Sequence, residues 1–359
     1  MINDLSEYIS FYPRAERLTR ALGPCDLPVH QRKRSPRMVQ SIRRVLPALA
    51  LFVIAPLIAE FLLGNMSITH LGLLVILAPL YGGGALLIRE SVRRAGRPWP
   101  SIFLLALAFG ILEEAFLTES LFNPNYLGLN LHLLNTAHIS LFGIGAWYTV
   151  FVLTLHTVWS IPVPIALTEA LVPERANSPW IGKPAIGVVA ALFVLACLSI
   201  GSFSIRMDSM HIVASRAQLV CSALIIFVLI ISAFSFPRWP AAKRSGRVPD
   251  PRIVGLMSFS IASAFLVIPR GWVWWAVVAY LSLDAFAIVP TLIWSTRTGW
   301  RAIHRLSLAG GAAMAYAWHA FLQTPSLGDA GAITRMGNLL FAVLAATLVG
   351  AGARKLVDS

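Results

Sequence analysis

Glu113 and Glu114 are adjacent carboxylates inside an apolar run, Ala108-Phe109-Gly110-Ile111-Leu112-Glu113-Glu114-Ala115-Phe116-Leu117. An ionised carboxylate at bilayer depth is penalised by roughly 2.5–3.5 kcal/mol on insertion scales. No Lys or Arg stands within a helical turn of the pair, so it needs a partner elsewhere in the fold or must bind a proton. His156, in the next long apolar run, is the apt partner. A Glu that activates water and a His that orients it or stabilises an oxyanion suffice for general acid/base hydrolysis. Glu113, Glu114 and His156 are therefore the candidate catalytic residues. Thr118, one turn beyond Glu114, is placed to donate to it, and Ser160 shares a helix face with His156 at i,i+4. Successive helical residues project about 100° apart, so one glutamate is expected to face a cavity while the other anchors a neighbouring helix. Gly110, one turn earlier, would let another helix come close. Glu60, Asp284 and His319 also lie in apolar runs and complete the candidate supporting set. The same groups would equally serve to pin helices together without doing chemistry. His132 and His138 read as ordinary polar loop residues.

The elements that must position these groups are membrane spans. Of 359 residues, 57% are hydrophobic and 13% charged, and the mean hydropathy is +0.73. Soluble domains carry about 25% charged residues. The composition therefore describes an all-α, polytopic transmembrane bundle. Ten spans are predicted, at about 45–63, 70–88, 101–120, 147–171, 184–203, 212–236, 253–269, 272–295, 306–323 and 335–349. All but four of the 29 Lys/Arg, namely Arg206, Arg216, Arg270 and Arg335, then fall on one side. By the positive-inside rule that side, with both termini, is cytoplasmic. A multi-pass protein of a cell membrane, of bacterial inner-membrane type, is the expected setting.

Residues 1–44 read as a basic cytoplasmic tail rather than a signal peptide, and 45–353 as the transmembrane domain. Within it, 121–146 has no Lys, Arg, Asp or Glu, yet Asn, Gly and Pro break it too often for a span. It is expected to be a re-entrant or interfacial cover over the bundle. Gly82-Gly83-Gly84 signals close helix approach or a break beside a cavity. Pro162 and Pro164 should kink the fourth span just past Ser160. Trp239, Trp272, Trp274, Trp275, Trp294, Trp300 and Trp318 lie near span ends, as an aromatic belt does.

The net charge of +13 does not indicate nucleic acid, because the basic residues sit in short clusters between apolar runs. Cys25, Cys197 and Cys221 are widely spaced and imply neither a disulfide framework nor a zinc site. HExxH, GxSxG, Walker A and strand-borne GxGxxG motifs are absent. No cofactor or metal is implied. The expected partners are the bilayer and a membrane-embedded peptide or lipid-like substrate.

A diglutamate in one membrane helix followed by a histidine on the next resembles the CAAX-protease and bacteriocin-processing family of intramembrane proteases. That family carries Glu-Glu-x-x-x-Arg, then Phe-x-x-x-His, then His-x-x-x-Asn or a similar residue. Glu113-Glu114 matches the first pair, Thr118 stands where the Arg would be, and Phe151 precedes His156 by five residues rather than four. Ser160, or His319 with Gln323, would supply the third motif only loosely. The resemblance implies a glutamate-dependent intramembrane hydrolase. The other readings are a proton-coupled transporter, a non-catalytic membrane protein, and an acid/base enzyme acting on a lipid or isoprenoid.

Overall fold

The computed structural model describes residues 37–124, 126, 131–207, 214–237 and 243–358. The chain divides into two units, 1–42 and 43–359, and the fold below is that of the second. Most of the tail expected at 1–44 lies outside the described residues.

Ten helices carry the fold. They are α1 (Val45–Leu62), α2 (Ile68–Arg94), α3 (Trp99–Leu117), α4 (Ala146–Leu171), α5 (Lys183–Met207), α6 (Arg216–Ser235), α7 (Pro251–Leu266), α8 (Trp274–Ser295), α9 (Ala302–His319) and α10 (Ala332–Val357). All but α7 and α9 are both long and apolar enough to cross a bilayer. A helix satisfies its backbone polar groups internally, which is what an apolar solvent demands of any spanning segment. The protein is a polytopic all-α membrane bundle.

Burial separates two classes of helix. Half to two thirds of the apolar stretches of α1–α4 are buried, against 6% of α5, 11% of α6 and 17% of α8. The first four helices, with α9, therefore form the interior, and α5, α6 and α8 present their apolar sides outward. In α9, close packing comes from small residues. A Cβ on Gly311 would lie 2.3 Å from the Gly255 carbonyl oxygen of α7, so these two backbones touch as small-residue membrane interfaces do.

Loop hydrogen bonds sort the ends of the bundle as alternating topology requires. At the basic end, Arg89 Nη2 donates to the Ala176 carbonyl (2.9 Å), Arg94 to Ile181, Arg97 to Phe236, and Arg244 N to Thr296 (2.9 Å). At the other end, Ser67 Oγ meets Thr334 Oγ1 (2.7 Å), and Ala214 N donates to Glu119 (2.7 Å). There too, Arg270 Nε donates to Thr136 Oγ1 (2.8 Å).

Several boundaries move from their sequence expectation. Arg89, Arg93 and Arg94, expected in a loop, sit on an extended α2, because they find buried acidic partners. Arg93 grips Glu169 of α4 with two bonds (2.8 and 2.7 Å), and Arg89 contacts both Glu169 (3.1 Å) and Glu90 (2.7 Å). Arg89 is fully buried and its guanidinium lies 3.4 Å from the Trp180 ring centroid. α9 runs Ala302–His319 rather than 306–323, and α10 continues to Val357. Trp300 is buried against His304 instead of joining a belt, whereas Trp272, Trp274 and Trp275 are exposed; Trp239 lies outside the described residues.

The segment 121–146 is turn-rich where described, and ends in a hairpin of β1 (His138–Ile139) paired antiparallel with β2 (Ile144–Gly145). Leu141 and Phe142 at its tip are exposed, while Leu133, Ala137 and Ala146 are buried.

Removing one member of a buried ion pair strands the other charge, at a cost of about 3–5 kcal/mol. Glu169→Ala is therefore expected to lower the unfolding free energy of the detergent-solubilised protein by about that amount, read from its denaturation midpoint. An unchanged midpoint would show that this network does not hold α2 to α4.

Candidate functional site

Four of the interior helices widen into a π-helical turn: Leu57–Leu62 in α1, Ala78–Gly82 in α2, Glu113–Leu117 in α3 and His156–Ser160 in α4. Single π turns are uncommon and gather at functional sites. Here each one carries part of a single polar cluster, contributing in order Glu60, Tyr81, the Glu113–Glu114 pair, and His156 with Ser160. All of these are at least nine-tenths buried.

His156 is the hub. Its Nε2 donates to Glu114 Oε1 at 2.8 Å, while Nδ1 lies 3.4 Å from Glu113 Oε2 and 3.1 Å from Ser160 Oγ. The imidazole stacks on the Tyr81 ring with 11° between planes and meets Phe109 edge-on. It comes this close to α3 because residue 110 is glycine. A Cβ there would sit 2.9 Å from the His156 Cβ. Gly82 does the same for α2 and α1, since a Cβ would fall 2.0 Å from the Phe52 carbonyl oxygen. The triple glycine thus combines close approach with a local break.

The two glutamates differ in their partners. Both oxygens of Glu114 are engaged: Oε1 by His156, and Oε2 by Thr118 (3.2 Å), Tyr148 (3.2 Å) and Ser120. Ser120 reaches back because Glu119, at φ 52°, takes the left-handed conformation and turns the chain sharply. Glu113 Oε1 accepts from the Tyr81 hydroxyl at 2.5 Å, whereas Glu113 Oε2 has no hydrogen-bond donor among the described residues.

Tyr81 also lies 2.6 Å from Glu60 Oε1, and Glu60 Oε2 accepts from Asn65 Nδ2 at 2.6 Å. One phenol has one proton. It therefore donates to one of these two carboxyl groups at a time and links them through its oxygen. The cluster is a continuous line of polar groups from Asn65 through Glu60, Tyr81, Glu113, His156 and Glu114 to Tyr148.

Glu113, Glu114 and His156 also offer donor atoms within 4.8 Å of one another, the spacing of a possible metal site. Glu114 is already saturated by four donors, so a metal ion would have to displace them.

A model of an uncharacterized membrane protein family matches residues 49–357. The chain belongs to that family. The matched stretch includes nearly all of α1, the other nine helices and every residue of the cluster. Comparison with curated proteins and with solved structures gave no match. Family membership thus supports an integral membrane protein and does not extend to the diglutamate resemblance.

Of the residues singled out in the sequence, Glu113, Glu114, His156, Thr118, Ser160 and Glu60 come together. Asp284 does not join them. It accepts from Thr154 at 3.0 Å on the α4–α8 contact. His319 lies at the end of α9, edge-on to Trp318, and no contact links it to the cluster among the described residues. Sequence reasoning missed Tyr81, Tyr148, Ser120 and Asn65. Tyr148 had a signal, since eight residues before His156 is two turns along the same face. Tyr81 reads as an ordinary apolar-run aromatic, and Ser120 depends on a turn that has no sequence signature.

Two substitutions probe this packing. Tyr81→Phe leaves two buried carboxyl groups facing each other without their donor and should cost about 1–3 kcal/mol of stability. Gly110→Ala forces the His156 Cβ away and should cost a similar ~1–3 kcal/mol by overpacking. Both are read from denaturation midpoints in detergent, and wild-type values would contradict the contacts described.

Proposed function

We propose that Glu113, Glu114 and His156 form the acid/base centre of an intramembrane hydrolase that cleaves a peptide bond presented within or at the edge of the bilayer. The observation that carries this reading is the contrast between the two glutamates. Glu114 is consumed in fixing the imidazole, as a carboxylate orients the base in a catalytic triad. Glu113 points an oxygen without a donor at the other ring nitrogen.

Glu113 Oε2 takes a proton from water as the water oxygen bonds to the carbonyl carbon. The C–N bond then breaks, and the amine nitrogen leaves with the proton that Glu113 took from water, delivered directly or relayed through His156, so that hydrogen is conserved and both groups return to their starting state. Tyr81 holds Glu113 from behind and ties it to Glu60. The segment 121–146 serves as the cover, and the Tyr126 ring in it lies close enough to Glu114, Glu113 and Glu60 to feel their charges.

A proton-coupled carrier is the weaker reading. Its path would have to continue to the basic end, where Arg89, Arg93 and Glu169 lock α2 to α4. A second reading keeps the same residues but uses a protonated carboxyl to initiate chemistry on a lipid or isoprenoid. The aromatic rings of Tyr81, Phe109 and Tyr148 around the cluster favour it, because such faces stabilise cations.

The test is turnover in nanodiscs of membrane-inserted reporter peptides in water enriched in oxygen-18. Hydrolysis puts the label into the new carboxylate, whereas isoprenoid chemistry leaves the peptides uncut. Glu113→Gln and His156→Gln should each lower the rate by about 10²–10⁴-fold while the protein still folds. Wild-type rates in both variants would sink the assignment.

A further inference from the structure

At the basic end, between the start of α3, the end of α4 and the start of α9, lies a cavity of about 100 Å³. Its polar lining is Trp99, Glu169, Asn177 and Arg305, and the remaining wall is apolar, including Ala170 and Leu356. At ~30 Å³ per water it has the room of about three waters, the scale of a single tetrahedral anion.

Charge at this end does not balance. Arg89, Arg93 and Arg94 share two carboxylates, Glu90 and Glu169. Both oxygens of Glu169 are already taken, by Arg93 and Arg89. Arg305 feels the same Glu169 at longer range and is opposed by Arg93, but it makes no hydrogen bond or ion pair among the described residues. Four guanidinium groups thus face two carboxylates in a largely buried setting. Trp99 adds an independent signal. The guanidiniums of Arg93, at 5.3 Å, and Arg305, at 5.8 Å, both lie over its ring, and its buried Nε1–H has no acceptor among the described residues. An excess of positive charge and an idle buried donor at one cavity both call for an acceptor-rich anion.

We propose that this cavity binds a phosphate group, that of an anionic phospholipid, with Arg305 and the Trp99 indole as its donors. The lipid is favoured as the source because the site is at the end where the basic residues cluster, with exposed Arg301, Arg354 and Lys355 around it. Juxtamembrane Lys and Arg attract anionic headgroups by about 1 kcal/mol each, and the half-buried Arg305 guanidinium adds directed hydrogen bonds. The proposal is independent of the hydrolase reading.

Native mass spectrometry of the full-length chain in detergent tests it, with phosphatidylglycerol, phosphatidylcholine and inorganic phosphate titrated in separate arms. The wild-type protein is expected to retain phosphatidylglycerol over phosphatidylcholine. Arg305→Gln should weaken that retention about tenfold, the usual scale of one charge-assisted contact. Trp99→Phe, which keeps the ring and removes only the N–H, should weaken it less, and denaturation midpoints establish that both variants fold. Equal retention of the two lipids, or the same retention in wild type and Arg305→Gln, overturns the proposal. Saturable binding of inorganic phosphate, abolished in Arg305→Gln and without lipid preference, overturns the lipid as the source.

Discussion

Everything in the interior of this bundle follows from three carboxylates that must be buried with no Lys or Arg beside them. Water cannot reach them cheaply and a bare charge is not tolerated, so donors must come from side chains, both on neighbouring helices and, for Glu60 and Glu114, just beyond the carboxylate in sequence. Glu114 draws four such donors, and Glu60 and Glu113 share one phenol. Meeting that demand requires helices to approach at Gly82 and Gly110, and to abandon regular α geometry where the polar groups project.

The same helices solve the opposite problem at their other ends. α2 carries Tyr81 and, two turns further on, Arg89; α4 carries His156 and, further on, Glu169. One end of this helix pair is joined by ring stacking, the other by guanidinium–carboxylate forks. Arginines are thus confined to one end of this helix pair, each beside a carboxylate that pairs with it. Ion-paired arginines near a headgroup region are inexpensive, whereas carboxylates deeper in the bundle carry a larger burial cost.

The all-α bundle, its ten helices and the clustering of basic residues at one end were legible because apolar run length and Lys/Arg placement are properties of sequence alone. Glu113, Glu114 and His156 stood out for the same reason, as polar residues where none belongs. Asp284 and His319 met the same criterion, yet depth in a membrane does not imply proximity, and α8 and α9 carry them elsewhere. The expected division of labour between the glutamates also changed. Regular helical spacing would have sent them to different neighbours, but both meet the same imidazole, one at each ring nitrogen. A 3.6-residue period cannot anticipate that, because the backbone at this point closes from Thr118 N to Glu113 O, five residues back.

The wide turns make turn width, as well as residue identity, a quantity on which the cluster depends. Each π turn fits one more residue into a helix than regular geometry would, and every side chain beyond it is rotated accordingly. Closing any of the four into an ordinary helix at an unchanged residue count would swing the following face by about 100°. Polar groups now turned inward would then be presented to lipid, although no residue in contact with the site had been replaced.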